Sequence, residues 1–228
     1  MKSLHCIPIQ VTSMAELNER VRAEAEHADL LEVWLDSIRD LRLAEIFFLK
    51  EEVNTPLLFV NKAPEEGGDF LGTPAARADL LLEALERGAD YVDMASSTDP
   101  ILIKKLVQAK GAAKLILSHH NFKKTPPLEA LQKTVLDAHK QHADIVKVAT
   151  FIKDVSENVV LLDLLKWANE QKIALIVVGM GDKGNLTRVI APLLGSPIYY
   201  APSDEGASTA PGQLTKKDLD AIWGHLNF

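Results

Sequence analysis

The feature that most restricts the fold is a regular alternation of short apolar runs with longer helix-forming segments. Eight runs have the length and β-branched composition of buried strands, and they cover residues 4–11, 29–36, 57–60, 90–94, 114–118, 144–149, 173–178 and 197–200. The predicted helices between and after them cover residues 13–27, 41–50, 74–87, 100–110, 126–141, 155–171, 185–194 and 215–226. Alternating strands and helices favour parallel pairing, so eight units in 228 residues predict an α/β fold, a closed (β/α)8 TIM barrel. A doubly wound open sheet is the alternative.

Helix-start signals support this division of the chain. Ser13 precedes the first helix and Glu16 follows three residues later, which is the spacing of a capping box. Thr73 is followed by Pro74, a combination typical of an N-cap and the first helical position. No linker or low-complexity stretch interrupts the pattern, so we expect a single domain over residues 1–228.

Composition excludes several classes of protein. The net charge is −7 and no basic stripe occurs, which argues against a nucleic-acid partner. Cys6 is the only cysteine, so no disulfide can form within the chain and a reducing compartment fits. No apolar run reaches the roughly 18 residues of a membrane span, and the first residues lack the apolar stretch of a signal peptide. The sequence predicts a soluble, cytoplasmic protein with a small-molecule substrate and no membrane partner.

The sixth predicted strand carries a lysine, Lys147, in the middle of the run Ile145-Val146-Lys147-Val148-Ala149. A buried ammonium costs several kcal/mol, so burial favours the neutral amine. A neutral amine is a nucleophile toward ketones and aldehydes. The alternative is a lysine at the rim of the strand whose ammonium reaches water.

Polar residues collect after the predicted strands, which is where (β/α)8 barrels carry their active sites. These residues are Glu32, Asp36, Lys62, Glu65, Glu66, His119, His120, Arg188, the glycines of segment 181–184 and the segment 201–213. The opposite ends of the strands carry mostly small and charged turn residues. This asymmetry favours an enzyme.

The order of these motifs resembles the type I 3-dehydroquinate dehydratases. The motifs are Glu66-Gly67-Gly68, Ser118-x-His120-Asn121-Phe122, the strand-six Lys147, Thr187-Arg188 and Ala210-Pro211-Gly212-Gln213. The resemblance spans residues 32–213. It implies a (β/α)8 lyase of the shikimate pathway, on the route to the aromatic amino acids. Such an enzyme converts 3-dehydroquinate to 3-dehydroshikimate and water through a Schiff base, and needs no cofactor or metal.

The resemblance also implies the catalytic roles. Lys147 is implied as the amine that forms the imine with the substrate ketone. His120 is implied as the general base that removes the neighbouring proton and then, as the acid, protonates the departing hydroxyl. Glu66 is implied as the carboxylate that orients His120.

Substrate binding is implied for five further residues. Arg188 is implied to bind the substrate carboxylate, a bidentate role for which a guanidinium is suited. Gln213, and Thr209 where the family has serine, are implied to close over the same end of the substrate. Glu32 and Lys62 are implied on the side of the ring hydroxyls.

Three positions depart from the family pattern. Trp34 stands where the family has an arginine, and Lys62 replaces a second arginine, which keeps the charge but loses the planar fork. Ala95 stands where the family has a glutamate. All three changes fall where the ring hydroxyls would be recognised.

Other hypotheses remain open. His119 could be the base instead of His120, although neighbouring strand residues point in opposite directions. His139 and His142 have no third ligand nearby in the sequence, which argues against a metal site. The alternatives for function are a Schiff-base aldolase on a phosphorylated sugar, with the glycines of segment 181–184 holding the phosphate, and a barrel that binds a shikimate-type ligand with weak or no turnover. A homodimer is among the expected assemblies.

Overall fold

A computed structural model describes residues 3–203 and 213–226 of the chain. The strands are β1 (Leu4–Ile9), β2 (Leu30–Trp34), β3 (Leu57–Val60), β4 (Tyr91–Ala95), β5 (Lys114–Asn121), β6 (Ile145–Phe151), β7 (Leu175–Met180) and β8 (Ile198–Tyr200). The helices are α1 (Met14–Glu24), α2 (Leu43–Glu52), α3 (Pro74–Glu86), α4 (Pro100–Ala109), α5 (Leu128–Lys140), α6 (Glu157–Glu170), α7 (Asn185–Ile190) and α8 (Lys216–Leu226). The predicted alternation is therefore confirmed element by element.

The eight strands belong to one sheet, in the order β7-β6-β5-β4-β3-β2-β1-β8. Pairing is parallel between β1 and β8, β2 and β3, β3 and β4, and β6 and β7. Chain neighbours are sheet neighbours, and the first strand pairs with the last, which is the connectivity of a (β/α)8 barrel. The predicted fold class is confirmed, and the open doubly wound sheet is wrong.

Contacts divide the described chain into two units. The N-terminal unit comprises residues 7–117 and 141–144. The C-terminal unit comprises residues 3–6, 118–140, 145–203 and 213–226. The expectation of a single domain over residues 1–228 stays a prediction.

In the N-terminal unit, β2, β3 and β4 pair in a register that places Trp34, Val60 and Asp93 side by side. The apolar residues of these strands are buried, as expected for a parallel sheet covered by helices. Helix α3 begins as the sequence predicts, because Thr73 Oγ1 accepts a hydrogen bond from Ala76 N and Pro74 occupies the first turn.

In the C-terminal unit, β6 and β7 pair over six positions, from Val146 with Leu175 to Phe151 with Met180, and Lys147 lies opposite Ile176. The loop between β7 and α7 approaches the end of β7 so closely that only glycine fits. A Cβ built on Gly184 would lie 2.3 Å from the carbonyl of Gly179. The loop also turns at Gly181, whose φ of +80° is a conformation that favours glycine.

Several local predictions need correction. β1 ends at Ile9 and α7 at Ile190, before the predicted ends at residues 11 and 194. Strand β5 runs on to Asn121, beyond the predicted end at residue 118, so His119 and His120 lie in the strand and not in a loop. Helix α1 ends at Glu24 and continues as a short 3-10 turn to His27. Ser13 caps this helix as predicted, but the Glu16 carboxylate accepts from the backbone N–H of Thr12, one residue before the position of a capping box.

The glycine contact gives a first prediction. Gly184→Ala should lower the free energy of unfolding by about 1–3 kcal/mol, because its Cβ collides with backbone that cannot move like a side chain. Urea denaturation measures the change. Gly224→Ala, in exposed helix α8 with nothing within 4 Å of the new Cβ, is the matched control. That variant should gain roughly 0.5–1 kcal/mol, and equal effects at both positions would contradict the steric argument.

Candidate active site

Lys147 is buried in the C-terminal unit, with 7% of its surface exposed. Val146 and Val148 flank it in β6, and both are buried. Its Nζ lies 4.0 Å from the centre of the Tyr200 ring in β8. The hypothesis of a lysine at a solvated rim is therefore wrong. The amine lies against an aromatic face, which attracts a positive charge.

Arg188 is the second buried cation of this unit. It lies in the short helix α7, and burial lowers its pKa to about 10, so the guanidinium still carries its charge at neutral pH. Among the described residues its Nε has no hydrogen-bond partner. Arg188 lines a small pocket with Tyr199 and Tyr200. A desolvated guanidinium with an unused donor is suited to bind a carboxylate or phosphate.

Side-chain hydrogen bonds fix the loop that carries Arg188. Thr187 Oγ1 accepts from Gly179 N at 2.7 Å and donates to the Gly184 carbonyl at 2.9 Å. The buried amide of Asn158 donates to the Lys183 carbonyl at 2.8 Å. Gly184 N donates to the Gly181 carbonyl at 2.9 Å, so this N–H closes the turn. These bonds favour a plain strand-to-helix turn over a phosphate cradle.

His119 and His120 are neighbours in β5 and both are half-buried. Strand alternation sends their side chains to opposite faces. Burial lowers the pKa of His119. The His120 ring stacks on Phe122, with ring centres 6.0 Å apart and planes 12° from parallel. The choice of His120 as the base stays a prediction that this geometry permits.

In the N-terminal unit, Trp34 is a hydrogen-bond partner of Glu32. The indole Nε1 donates to Glu32 Oε2 at 2.9 Å, and the carboxylate itself is buried. The residue that stands in place of an arginine therefore fixes the glutamate by a neutral hydrogen bond. Such a bond is weaker than a charge-assisted one.

Lys62 is buried, with 2% of its surface exposed, and it lies in a cluster of carboxylates. Its Nζ bonds Asp93 Oδ1 and lies 3.5 Å from Glu66 Oε1. Burial alone lowers the pKa of Lys62, but attraction to Asp93 and Glu66 outweighs it and raises the pKa above its ordinary value. Asp36 fixes the backbone at this position, accepting from Lys62 N at 2.8 Å.

Arg77 belongs to the same cluster and was missed by the sequence analysis. Its guanidinium bonds Glu66 Oε2 and donates to Thr98 Oγ1 at 3.3 Å. A signal was present: Arg77 lies on the apolar face of α3 with Ala78 and Leu81, where a charged residue requires a buried partner.

The remaining predicted residues are less informative. Gln213 is half-buried, whereas Thr209 lies outside the described residues. No group of three or more histidine, cysteine or acidic residues suited to a metal ion occurs within residues 3–203 and 213–226. In that same part of the chain, no helix is both long and apolar enough to cross a membrane.

The buried cluster generates a stability prediction. Asp93→Asn should lower the free energy of unfolding by about 3–5 kcal/mol, because it leaves the Lys62 ammonium buried without its nearest carboxylate. Glu83→Gln, which breaks an exposed pair with Arg87, is the control and should cost less than about 1 kcal/mol. Urea unfolding at pH 7 compares the two variants, and similar losses would contradict the assignment.

The ion pair of Lys62 also predicts how stability changes at alkaline pH. Folding raises the pKa of Lys62, so its contribution to the free energy of unfolding is fully present below the ordinary pKa of about 10.5. That contribution is lost as the pH rises through the higher pKa of the folded state. Asp93→Asn should weaken this dependence.

The comparisons with known proteins agree with one another. The family model described as Type I 3-dehydroquinase matches residues 5–227. A 3-dehydroquinate dehydratase of Methanothermobacter thermautotrophicus is 36% identical over 215 residues, which are 94% of this chain and 93% of that protein. The solved 3-dehydroquinate dehydratase of Geobacillus kaustophilus superposes with a TM-score of 0.87 at 25% identity, over 100% of this chain and 92% of that one. The type I enzyme of Clostridium difficile was solved with covalently modified comenic acid and superposes with a TM-score of 0.85 at 23% identity. The superposition covers 99% of this chain and 92% of that one, and it supports the similarity of fold. The chain belongs to the type I 3-dehydroquinase family, a family of hydro-lyases.

Proposed function

We propose that this protein dehydrates 3-dehydroquinate to 3-dehydroshikimate through an imine on Lys147. The observation that carries the proposal is the buried amine of Lys147 against Tyr200, in a unit where Tyr200 also lines the pocket of Arg188. An amine against the Tyr200 ring, and a guanidinium lining a small pocket that Tyr200 also lines, suit a substrate with both a ketone and a carboxylate. Family membership supports that substrate.

In the proposed reaction, the Lys147 amine attacks the ketone carbon, and loss of water leaves a protonated imine. The cationic imine withdraws electrons and acidifies the adjacent C–H. His120 removes that proton, and the electron pair enters an enamine. The enamine then expels the β-hydroxyl, which leaves as water after His120 returns the proton. Hydrolysis of the remaining imine releases the product and restores the amine, so no oxidant, reductant or metal is consumed.

The Tyr200 ring has a physical role in this sequence. A protonated imine retains the positive charge of an ammonium, and an aromatic face stabilises either cation by about 0.5–2 kcal/mol. The positive charge on the Lys147 nitrogen therefore has a favourable partner in the protonated imine, both before proton removal and after the hydroxyl has left, whereas the enamine between them is neutral. Lys147 is itself buried, which limits the access of water to the same nitrogen.

Substrate binding is proposed for the residues that the family resemblance implies. Arg188 binds the substrate carboxylate, and Gln213 and Thr209 close over it. Glu32 and Lys62 bind the ring hydroxyls.

Glu66 is proposed as the carboxylate that orients His120. We also propose a cytoplasmic location, in keeping with a single cysteine and a shikimate-pathway substrate.

Borohydride trapping tests the nucleophile. Wild-type protein mixed with 3-dehydroquinate and borohydride should gain the mass of a reduced adduct, and Lys147→Ala should gain none while remaining folded by circular dichroism. Lys153→Ala, an exposed lysine just after the same strand, should trap normally. Adduct in Lys147→Ala would assign the imine to another lysine, and binding without any wild-type adduct would favour a non-catalytic ligand-binding barrel.

Removal of the proposed base, His120, should separate imine formation from the proton transfers that follow it. His120→Ala should still accumulate the trappable imine but turn over about 10²–10⁴-fold more slowly, the usual contribution of general acid–base catalysis. His119→Ala is the matched neighbour and should retain most activity, because its ring points to the other face of β5. Steady-state rates with 3-dehydroquinate decide the matter, and the reverse ranking would make His119 the base.

A further inference from the structure

Arg77 is a buried charge that the proposed reaction does not use. It lies in α3, and only 6% of its surface is exposed. Its NH1 bonds Glu66 Oε2, and its NH2 donates to Thr98 Oγ1 at 3.3 Å. A planar guanidinium held at two points fixes both the distance and the plane of the carboxylate that it binds. A long, flexible side chain at the same place would not do so.

The charges around Glu66 show why this contact matters. Glu32, Glu66 and Asp93 are buried carboxylates of the N-terminal unit. Lys62 forms ion pairs with Asp93 and Glu66, and Arg77 forms one with Glu66.

The Lys62 ammonium is committed to Asp93 by a direct bond and lies 3.5 Å from Glu66 Oε1. The other oxygen of Glu66 faces Arg77. Arg77 is therefore the closer of the two cations to Glu66.

We propose that Arg77 is a positioning residue that holds the Glu66 carboxylate in one orientation and stabilises its charge for the reaction. The inference rests on the proposed function, in which Glu66 is the carboxylate that orients the general base. Removing Arg77 takes away the closer of these two cations to Glu66. Loss of an opposite charge favours the protonated form of a buried carboxylate. A protonated Glu66 cannot stabilise an imidazolium.

A purely structural role for Arg77 predicts a different result. Loss of packing or of a buried ion pair lowers stability, and it lowers activity only through the amount of folded protein. Loss of a positioning charge changes the pH at which the folded enzyme works. The pH profile of kcat, measured on protein shown to be folded, therefore separates the two roles.

The test compares Arg77→Met with wild type, using 3-dehydroquinate as substrate. At pH 6 the variant should lose roughly ten- to hundredfold in kcat, part of the contribution of general acid–base catalysis. The acidic limb of its kcat profile should move up by about one pH unit or more, as expected when an opposite charge close to a carboxylate is removed. Much of the rate should return at alkaline pH, and KM should change little, since Arg77 is not proposed to touch substrate.

Three further variants make the result decisive. Arg77→Lys keeps the charge and should restore the position of the acidic limb, with a kcat between those of Arg77→Met and wild type. Thr98→Val removes the second anchor of Arg77 without changing any charge, so it should lower kcat slightly and leave the limb in place. Arg87→Met removes an exposed arginine at the end of the same helix, paired with Glu83, and should match wild type.

Each outcome has a separate meaning. An active wild type with an unshifted acidic limb in Arg77→Met overturns this inference and leaves the proposed function standing. A wild type with neither turnover nor borohydride adduct overturns the proposed function, and the inference with it. If Arg77→Met does not fold, Arg77→Lys and Thr98→Val provide the test. A kcat equal to that of wild type in both variants would show that the orientation of Glu66 by Arg77 does not affect the reaction. That result would overturn the inference.

Discussion

Moving a charged side chain from water into a protein interior costs several kcal/mol, and every functional proposal for this chain depends on how that cost is met. In the N-terminal unit the buried charges form ion pairs, Lys62 with Asp93 and Arg77 with Glu66. In the C-terminal unit, Lys147 lies against the Tyr200 ring, and the Nε of Arg188 has no partner among the described residues. The first arrangement is paired within the protein, whereas the second leaves one donor of the Arg188 guanidinium without a partner among the described residues.

This difference separates the roles that the two groups can take. A cation bonded to a buried carboxylate is held in place and loses reactivity, because each partner stabilises the charged form of the other. Lys147 lies instead in an apolar strand against an aromatic ring, and an amine in its neutral form is a nucleophile toward a ketone. This difference supports the proposal of Lys147 as the nucleophile, with the ion-pair cluster in a positioning role.

The sequence predicted most of the fold because the alternation of apolar strands and capped helices is a local property. Thr73 and Pro74 define the start of α3 within a few residues, and Lys147 is recognisable because its neighbours are β-branched. Strand β5 was predicted three residues too short, because the polar residues that end it do not resemble a strand. Its pairing with neighbouring strands is a non-local property that overrides propensity.

The candidate site was less predictable, for a related reason. The residues that resemble family motifs could be named from their order alone. The partner of Glu66 could not, because Arg77 is eleven positions along the chain and only the packing of α3 brings them together. The bond from Trp34 to Glu32 depends on side-chain rotamers, which the sequence pattern does not specify. Long-range pairs of this kind follow from the folded geometry.

The departures from the family pattern form a consistent set when they are considered as charges. An indole at Trp34 in place of an arginine removes one positive charge, and Ala95 in place of a glutamate removes one negative charge. The substitution of Lys62 for an arginine changes neither. If the family has the residues that the resemblance implies, the net charge of this group of positions is unchanged, and a balanced charge is favourable in a buried cluster. Trp34 still supplies a donor to Glu32, so the carboxylate keeps a fixed orientation. In this chain a neutral donor serves Glu32, and the ion pairs of Lys62 and Arg77 hold Asp93 and Glu66.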